Sequence, residues 1–199
     1  VVAGLVLAAG SGRRLGGPKA LLRYRDALLV EHAMRTVREA GCDPVVVVLG
    51  AAADQVQATA ELAEATVVVN KAWSTGVGSS LRAGLAAAEQ TDAQAVVVVP
   101  VDMPGLTAQA VRRVADLPHR HALVCGTFGG RRGYPMMLGR GHWSGIATLA
   151  RADVAVRPYL LARAAQITDV ACDRVADPDD VDTAEDAARW GIEVQTRSA

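Results

Sequence analysis

Leu7-Ala8-Ala9-Gly10-Ser11-Gly12-Arg13-Arg14-Leu15-Gly16-Gly17-Pro18-Lys19-Ala20-Leu21 follows without a break on the apolar run Val1 to Leu7. A β-branched run that gives way at once to glycines reads as a buried strand ending at a ligand-facing turn, because an open parallel sheet places its crevice at the carboxyl ends of its strands. Gly10, Gly12, Gly16 and Gly17 let backbone amides turn toward an anion, and Arg13 and Lys19 add the fixed positive charge that a polyphosphate requires. The stretch is not a P-loop, since Lys19 lies between Pro18 and Ala20 rather than inside Gly-Lys-Ser/Thr. Nor is it the dinucleotide fingerprint: it reads Gly-x-Gly-x-x-x-Gly, one residue too long, and no acidic residue closes the second strand at Leu49-Gly50. A Gly-rich surface turn is the plain alternative, and the charges of Arg13 and Lys19 count against it.

Outward from this stretch, further apolar runs at Pro44 to Leu49, Thr66 to Val69, Ala95 to Val101 and Ala122 to Cys125 lack polar alternation and read as strands buried on both faces. Segments of helical period lie between them. In Leu29 to Ala40, Val30, Ala33, Met34, Val37 and Ala40 share a face, with Glu31 and Arg35 as an i, i+4 pair on the other side. Val77 to Gln90 and Thr107 to Ala115 follow the same logic, and a last helix is expected over Thr183 to Trp190, with Asp182 at its N-cap and Gly191 past its end. Alternating strand and helix predicts an α/β fold, a three-layer αβα sandwich with a Rossmann-like, mainly parallel sheet, in one domain over residues 1–199. Phe128 to Arg157, rich in Gly and Arg, breaks the rhythm and reads as an insertion shaping an acceptor pocket.

Composition narrows the function classes. Basic and acidic residues balance at 21 each and no basic run exceeds two residues, which disfavours a nucleic-acid partner. Cys42, Cys125 and Cys172 are far apart and odd in number, so neither a disulfide framework nor a zinc site is indicated. A reducing, cytoplasmic setting suits them. The opening apolar run reads as a strand rather than a signal peptide, and no apolar stretch approaches the roughly 18 residues that would span a membrane. A soluble protein is expected.

Two acidic motifs complete the chemistry. Val99-Pro100-Val101-Asp102-Met103-Pro104 ends the most hydrophobic strand, and an aspartate there is well placed to hold Mg²⁺, a hard cation that takes carboxylate and phosphate oxygens. In the common strand order 3-2-1-4 the first and fourth strands are neighbours, so the Gly-rich loop and Asp102 should face each other across one crevice. The run from Asp177 to Asp186 is mostly helix N-terminal charge, but Asp180 and Asp182 alternate around Val181 and can point the same way, adding a second carboxylate to Asp102.

These motifs, with Asn70 and Gly76-Val77-Gly78-Ser79-Ser80-Leu81, Gly133-Tyr134-Pro135 and Asp180-Val181-Asp182-Thr183, span nearly the whole chain. In this order they resemble the MobA-like nucleotidyltransferase family and, within it, the molybdenum cofactor cytidylyltransferase branch. The resemblance implies a fold of the nucleotide-diphospho-sugar transferase type and Mg²⁺-dependent transfer of CMP from CTP to a molybdenum cofactor, with release of pyrophosphate. A molybdoenzyme or its accessory protein is the implied protein partner. Leu7, Ala8 and Ala9 would line the base pocket, Gly10, Gly12, Arg13 and Lys19 would hold the triphosphate, and Asn70, Gly76, Ser79 and Ser80 would lie near base and ribose. For Ser79 and Ser80, helix N-capping is an equal alternative. Asp102 and Asp182 carry over as metal ligands with Asp180 in support, and Lys19, Arg13 and Asp102 as the catalytic set. Ala9 stands where the guanylyl branch usually has Gly, which motivates CTP over GTP. Other guanylyl or sugar-phosphate transfer, and a non-catalytic nucleotide-binding role, stay open. The chain departs from the family's Gly-His-Pro at Tyr134, and from its Gly-Asp-x-Gly-Ala-Arg stretch at Ala152 to Arg157.

His32, His119, His121 and His142 read as surface or loop residues, with no third ligand spaced to close a zinc site. Trp73, Trp143 and Trp190 read as packing anchors, with Trp143 a candidate wall for the acceptor site.

Overall fold

A computed structural model describes residues 1–116 and 120–194. The first strand, β1 (Val2–Ala8), leads through the Gly-rich loop to a short hairpin of β2 (Arg23–Tyr24) and β3 (Ala27–Leu28). There follow α1 (Leu29–Glu39), β4 (Val45–Leu49), α2 (Ala53–Thr59), β5 (Thr66–Val69), α3 (Val77–Glu89), β6 (Ala95–Pro100) and α4 (Ala108–Ala115). The second half contributes β7 (Leu123–Phe128), β8 (Arg131–Gly139), α5 (Trp143–Leu149), α6 (Arg157–Leu161), β9 (Thr168–Ala171) and α7 (Ala184–Arg189). The main sheet has the order β5-β4-β1-β6-β8-β7-β9. Among the described residues, β8 alone runs against the other strands of this sheet, pairing antiparallel with both β6 and β7.

Side chains alternate across each strand and so build two cores. Val6 and Ala8 of β1, with Val97 and Val99 of β6, meet α1, α4 and α7 on one face; Leu5, Leu7, Val96 and Val98 meet α3, α5 and α6 on the other. These are the three layers expected, and β1 lies between β4 and β6 as the switch-point argument requires. Among the described residues no helix is long and apolar enough to cross a membrane.

Several expectations need correction. The segment from Phe128 onward is not an insertion at its start, because Arg131–Gly139 is β8 and sits inside the sheet. Thr66–Val69 is not buried on both faces: β5 is an edge strand and Val69 is 44% exposed. Glu31 does not pair with Arg35 on an outer face. It is buried, and its carboxylate accepts the Leu28 N–H at 2.8 Å and the Glu61 N–H at 2.8 Å, while Arg35 approaches Asp26. The N-cap of α7 is Thr183 rather than Asp182, since Thr183 Oγ1 accepts the Asp186 N–H and Asp186 accepts the Thr183 N–H in return. That shift by one residue leaves Asp182 free for the cleft.

Candidate active site

The Gly-rich loop turns on Gly12, whose φ of +58° is a left-handed conformation and whose added Cβ would collide with the Gly17 carbonyl oxygen. The Gly12 carbonyl closes the turn by accepting from Leu15 N–H at 2.8 Å. Leu15 and Ala20 are buried and pin the loop at both ends, while Arg13 and Arg14 stay exposed. Fixed backbone with exposed guanidinium groups suits an anion that arrives from solvent.

Across the crevice, Val101 N–H bonds Leu7 O at 3.0 Å, and Val181 N–H bonds Asp102 O at 2.8 Å. This stitching brings the β6 terminus against the Asp180-Val181-Asp182 segment. Val181 is fully buried as the anchor, and the flanking aspartates turn outward together, the alternation expected from their spacing. Carboxylate oxygens of Asp102, Asp180 and Asp182 lie within 4.8 Å of one another. A hard divalent cation takes such oxygens and keeps several waters for itself, so this donor set fits Mg²⁺ or Mn²⁺.

Lys19 reaches into the same cluster. Its Nζ lies 2.6 Å from Asp102 Oδ2 and also donates to Asp182 Oδ1. Burial alone would lower the Lys19 pKa, but the charges and hydrogen bonds of Asp102 and Asp182 together raise it above its ordinary value. Asp180 is shifted upward by burial and by the neighbouring charges of Asp182 and Asp102. One ammonium among three carboxylates leaves an excess of negative charge, which favours a further cation.

The cleft itself encloses about 930 Å³. Of the residues expected at a nucleotide site, Leu7, Ala9, Gly10, Gly12, Arg13, Lys19, Gly76, Ser80, Asp102, Asp180 and Asp182 line it. Ala8, Asn70 and Ser79 do not. Ala8 faces the opposite core by strand alternation. Buried Asn70 donates from Nδ2 to Ser79 Oγ at 2.8 Å and to Ser80 Oγ at 3.1 Å, and Ser79 Oγ donates to the carbonyls of Ala72 and Gly76. The two serines therefore do not cap α3, whose N-cap is Gly76 with no side-chain bond. Instead Asn70 and Ser79 fix the turn that presents Gly76 and Ser80 to the cleft.

Trp73, Ser11, Arg14, Tyr134 and Asp153 also line the cleft. Trp143 does not; it is 1% exposed and donates from Nε1 to Leu138 O, so the aromatic wall is Trp73 instead. Trp73 precedes the turn at Gly76 by three residues, a proximity that sequence periodicity does not mark. The Tyr134 phenol is pushed up to about 12, by burial first and by the charge of Asp102 second. His142 is buried rather than superficial, with Nδ1 2.8 Å from Tyr159 OH, and His32 contacts Pro104 O at 3.0 Å. His119 lies outside the described residues. The cysteines are buried and unpaired, and burial pushes Cys42 and Cys125 up to about 11.

Residues 4–169 match the family model described as the MobA-like NTP transferase domain. Nicotine blue oxidoreductase of Paenarthrobacter nicotinovorans is 39% identical over 94% of this chain and 95% of that protein. A probable molybdenum cofactor guanylyltransferase of Opitutus terrae is 37% identical, over 54% of this chain and 50% of that protein. A Mycobacterium tuberculosis protein solved in complex with manganese is 29% identical, with a TM-score of 0.78 covering 95% of this chain and 96% of that one. The fold is the nucleotide-diphospho-sugar transferase type.

Proposed function

This chain belongs to the MobA-like NTP transferase family, and from that premise we propose that it transfers a nucleoside monophosphate, CMP from CTP, to a small phosphorylated acceptor of the molybdenum cofactor type. The observation that carries the reading is the meeting of the Gly-rich loop and Lys19 with Asp102, Asp180 and Asp182 in one cleft. Loop amides and exposed Arg13 suit the triphosphate, and Leu7, Ala9, Gly76 and Ser80 form the wall suited to base and ribose. An oxygen of the acceptor phosphate forms a bond to the α-phosphorus as the bond to the β-phosphate oxygen breaks, and pyrophosphate leaves with that electron pair. A phosphate monoester, with a second pKa of about 6, is already ionised near neutrality. No side chain has to remove a proton, which agrees with a cleft lined by no histidine among the described residues. Lys19 and Arg13 then act by position and charge. Held by Asp102 and Asp182 with Asp180 beside them, Mg²⁺ would supply charge neutralisation to the phosphates. The relative named as a guanylyltransferase makes the choice of base the finer part of the reading; Ala9 at the cleft wall supports the smaller pyrimidine.

A redox reading draws on the relative named nicotine blue oxidoreductase, whose similarity runs over nearly the whole chain. The loop is one residue longer than a dinucleotide fingerprint, and the three clustered carboxylates suit a metal-triphosphate better than a nicotinamide. One experiment separates the two. Purified protein is given CTP, GTP, ATP or UTP with a pterin phosphate, glucose 1-phosphate or phosphocholine, with Mg²⁺ or EDTA, and in parallel NADH or NADPH with a quinonoid dye. Acceptor-dependent pyrophosphate release, abolished by EDTA, is expected. Oxidation of the nicotinamide with no pyrophosphate from any pair would replace transfer with the redox reading.

A further inference from the structure

β8 brings to the cleft a side chain that the reaction as described does not use. Its pairing with β6 runs from Ala95↔Gly139 to Val98↔Met136 and is antiparallel, so the early residues of β8 arrive where β6 ends and Asp102 follows. Tyr134 stands at that edge and lines the cleft. β1 and β8 flank β6 on opposite sides, so the Gly-rich loop and Tyr134 approach Asp102 from opposite directions. A triphosphate held on the β1 side leaves the β8 side to the second substrate.

Tyr134 is built to be rigid. Its ring packs against buried residues of both cores, and β7 lies so close that a Cβ on Gly126 would sit 3.2 Å from Pro135 Cδ and 3.3 Å from Tyr134 O. Its hydroxyl bonds to none of the described residues. Because no buried side-chain oxygen or nitrogen among them lacks a partner, this hydroxyl, though largely buried, is not fully sealed, and Tyr134 lines the cleft. A phosphate dianion that docks beside Asp102, Asp180 and Asp182 needs donors on its own flank, and a phenol O–H donates without adding a charge that would compete for the carboxylates.

We infer that Tyr134 is the acceptor-side contact of the transfer, its hydroxyl donating a hydrogen bond to a non-attacking oxygen of the acceptor phosphate and thereby aligning the attacking one. The inference rests on the transfer reading above, and its test keeps the two apart. Tyr134→Phe keeps the ring and removes the donor, whereas Tyr134→His keeps a ring N–H donor. Steady-state kinetics with the best acceptor from the screen, and thermal melting, are run on all three proteins. Tyr134→Phe is expected to raise the acceptor KM by at least about tenfold, the scale of one hydrogen bond to a charged group. The KM for the nucleotide should stay within about twofold, melting should hold, and Tyr134→His should recover part of the loss. An unchanged acceptor KM in Tyr134→Phe overturns the inference and leaves transfer standing; so does an equal loss in both variants with lowered melting, which marks a packing role. Should the wild type show no transfer, a ³¹P NMR titration with phenyl phosphate decides: weaker binding by Tyr134→Phe upholds the contact, and equal binding overturns it.

Discussion

Lys19 Nζ sits 2.6 Å from Asp102 Oδ2, so a loop residue and a strand-end residue 83 positions apart share one proton-rich contact at the centre of the cleft. The same ammonium also bonds Asp182. It therefore ties the Gly-rich loop to the carboxylates before any substrate arrives, and on the proposed reading a bound triphosphate would compete for that charge.

Lys19→Ala should weaken the triphosphate more than the monophosphate, because on the proposed reading the lost charge serves the outer phosphates. Loss of one charge-assisted contact costs about 1.5–3 kcal/mol, or roughly tenfold to a hundredfold in affinity. Calorimetric titration with CTP and CMP measures it. Equal losses for both nucleotides would instead indicate collapse of the loop.

The N-terminus of α7 links stability to the site. Hydrogen bonds from Thr183, side chain first and backbone second, and from the Asp182 N–H hold Asp186 down at about 2. The folded value lies below the ordinary carboxylate value of about 3.9, so this contribution to stability is complete above about pH 4 and is lost as pH falls through about 2. Asp186→Asn should thus lower the melting temperature by a constant amount from pH 5 to 7, with the gap closing toward pH 2. A gap that persists unchanged at the acid end would show the carboxylate charge to be irrelevant.

Gly76→Ala is expected to destabilise the fold and distort the cleft wall together. Gly76 holds φ at +114°, and a Cβ there would overlap the Ala152 carbonyl and approach Asp153 Oδ1 to 2.8 Å. Strain of this kind costs about 1–3 kcal/mol. Urea unfolding and nucleotide binding on one preparation should both worsen; unchanged stability would place the 150–156 segment elsewhere in solution.

Ala9→Gly should relax a preference for CTP without reversing it. Ala9 lines the cleft, and its Cβ would lie 2.8 Å from one built on Gly50, so it closes the gap between β1 and β4 at the wall proposed for the base. Shape alone discriminates by only about 1–3 kcal/mol unless hydrogen bonds are lost as well. The ratio of kcat/KM for CTP and GTP with one acceptor, in wild type and variant, reports it. Wild-type preference for GTP would remove the cytidylyl assignment while leaving transfer intact.

The first half of the fold was legible because β1, β4 and β6 are pure apolar runs, and α1, α3 and α4 carry a clear helical period. β8 was not. It begins Arg131-Arg132-Gly133-Tyr134-Pro135, a loop-like composition, yet the pairing with β6 uses the later Met136 to Gly139, and tertiary contacts override the local signal. β9 and α2 escaped notice for a simpler reason: four and seven residues, largely exposed, carry too little periodicity. At the site, the loop, Asp102 and the alternation of Asp180 with Asp182 were readable as spacing. The spending of Asn70 on Ser79 and Ser80 was not, since which partner a buried amide finds depends on contacts that sequence distance does not encode.

The most direct test follows the label. CTP carrying ³²P at the α-phosphate is incubated with acceptor and a Mg²⁺ series, using wild type and Asp102→Ala, with thermal melting as the control for folding. Asp102 lies in the turn just beyond β6, at an open crevice, so the variant should melt nearly as the wild type does. The account predicts that label passes to the acceptor in the wild type only with a divalent cation, that unlabelled pyrophosphate appears in equal amount, and that folded Asp102→Ala does neither. Full transfer by wild type in EDTA, or normal transfer by Asp102→Ala, would contradict it.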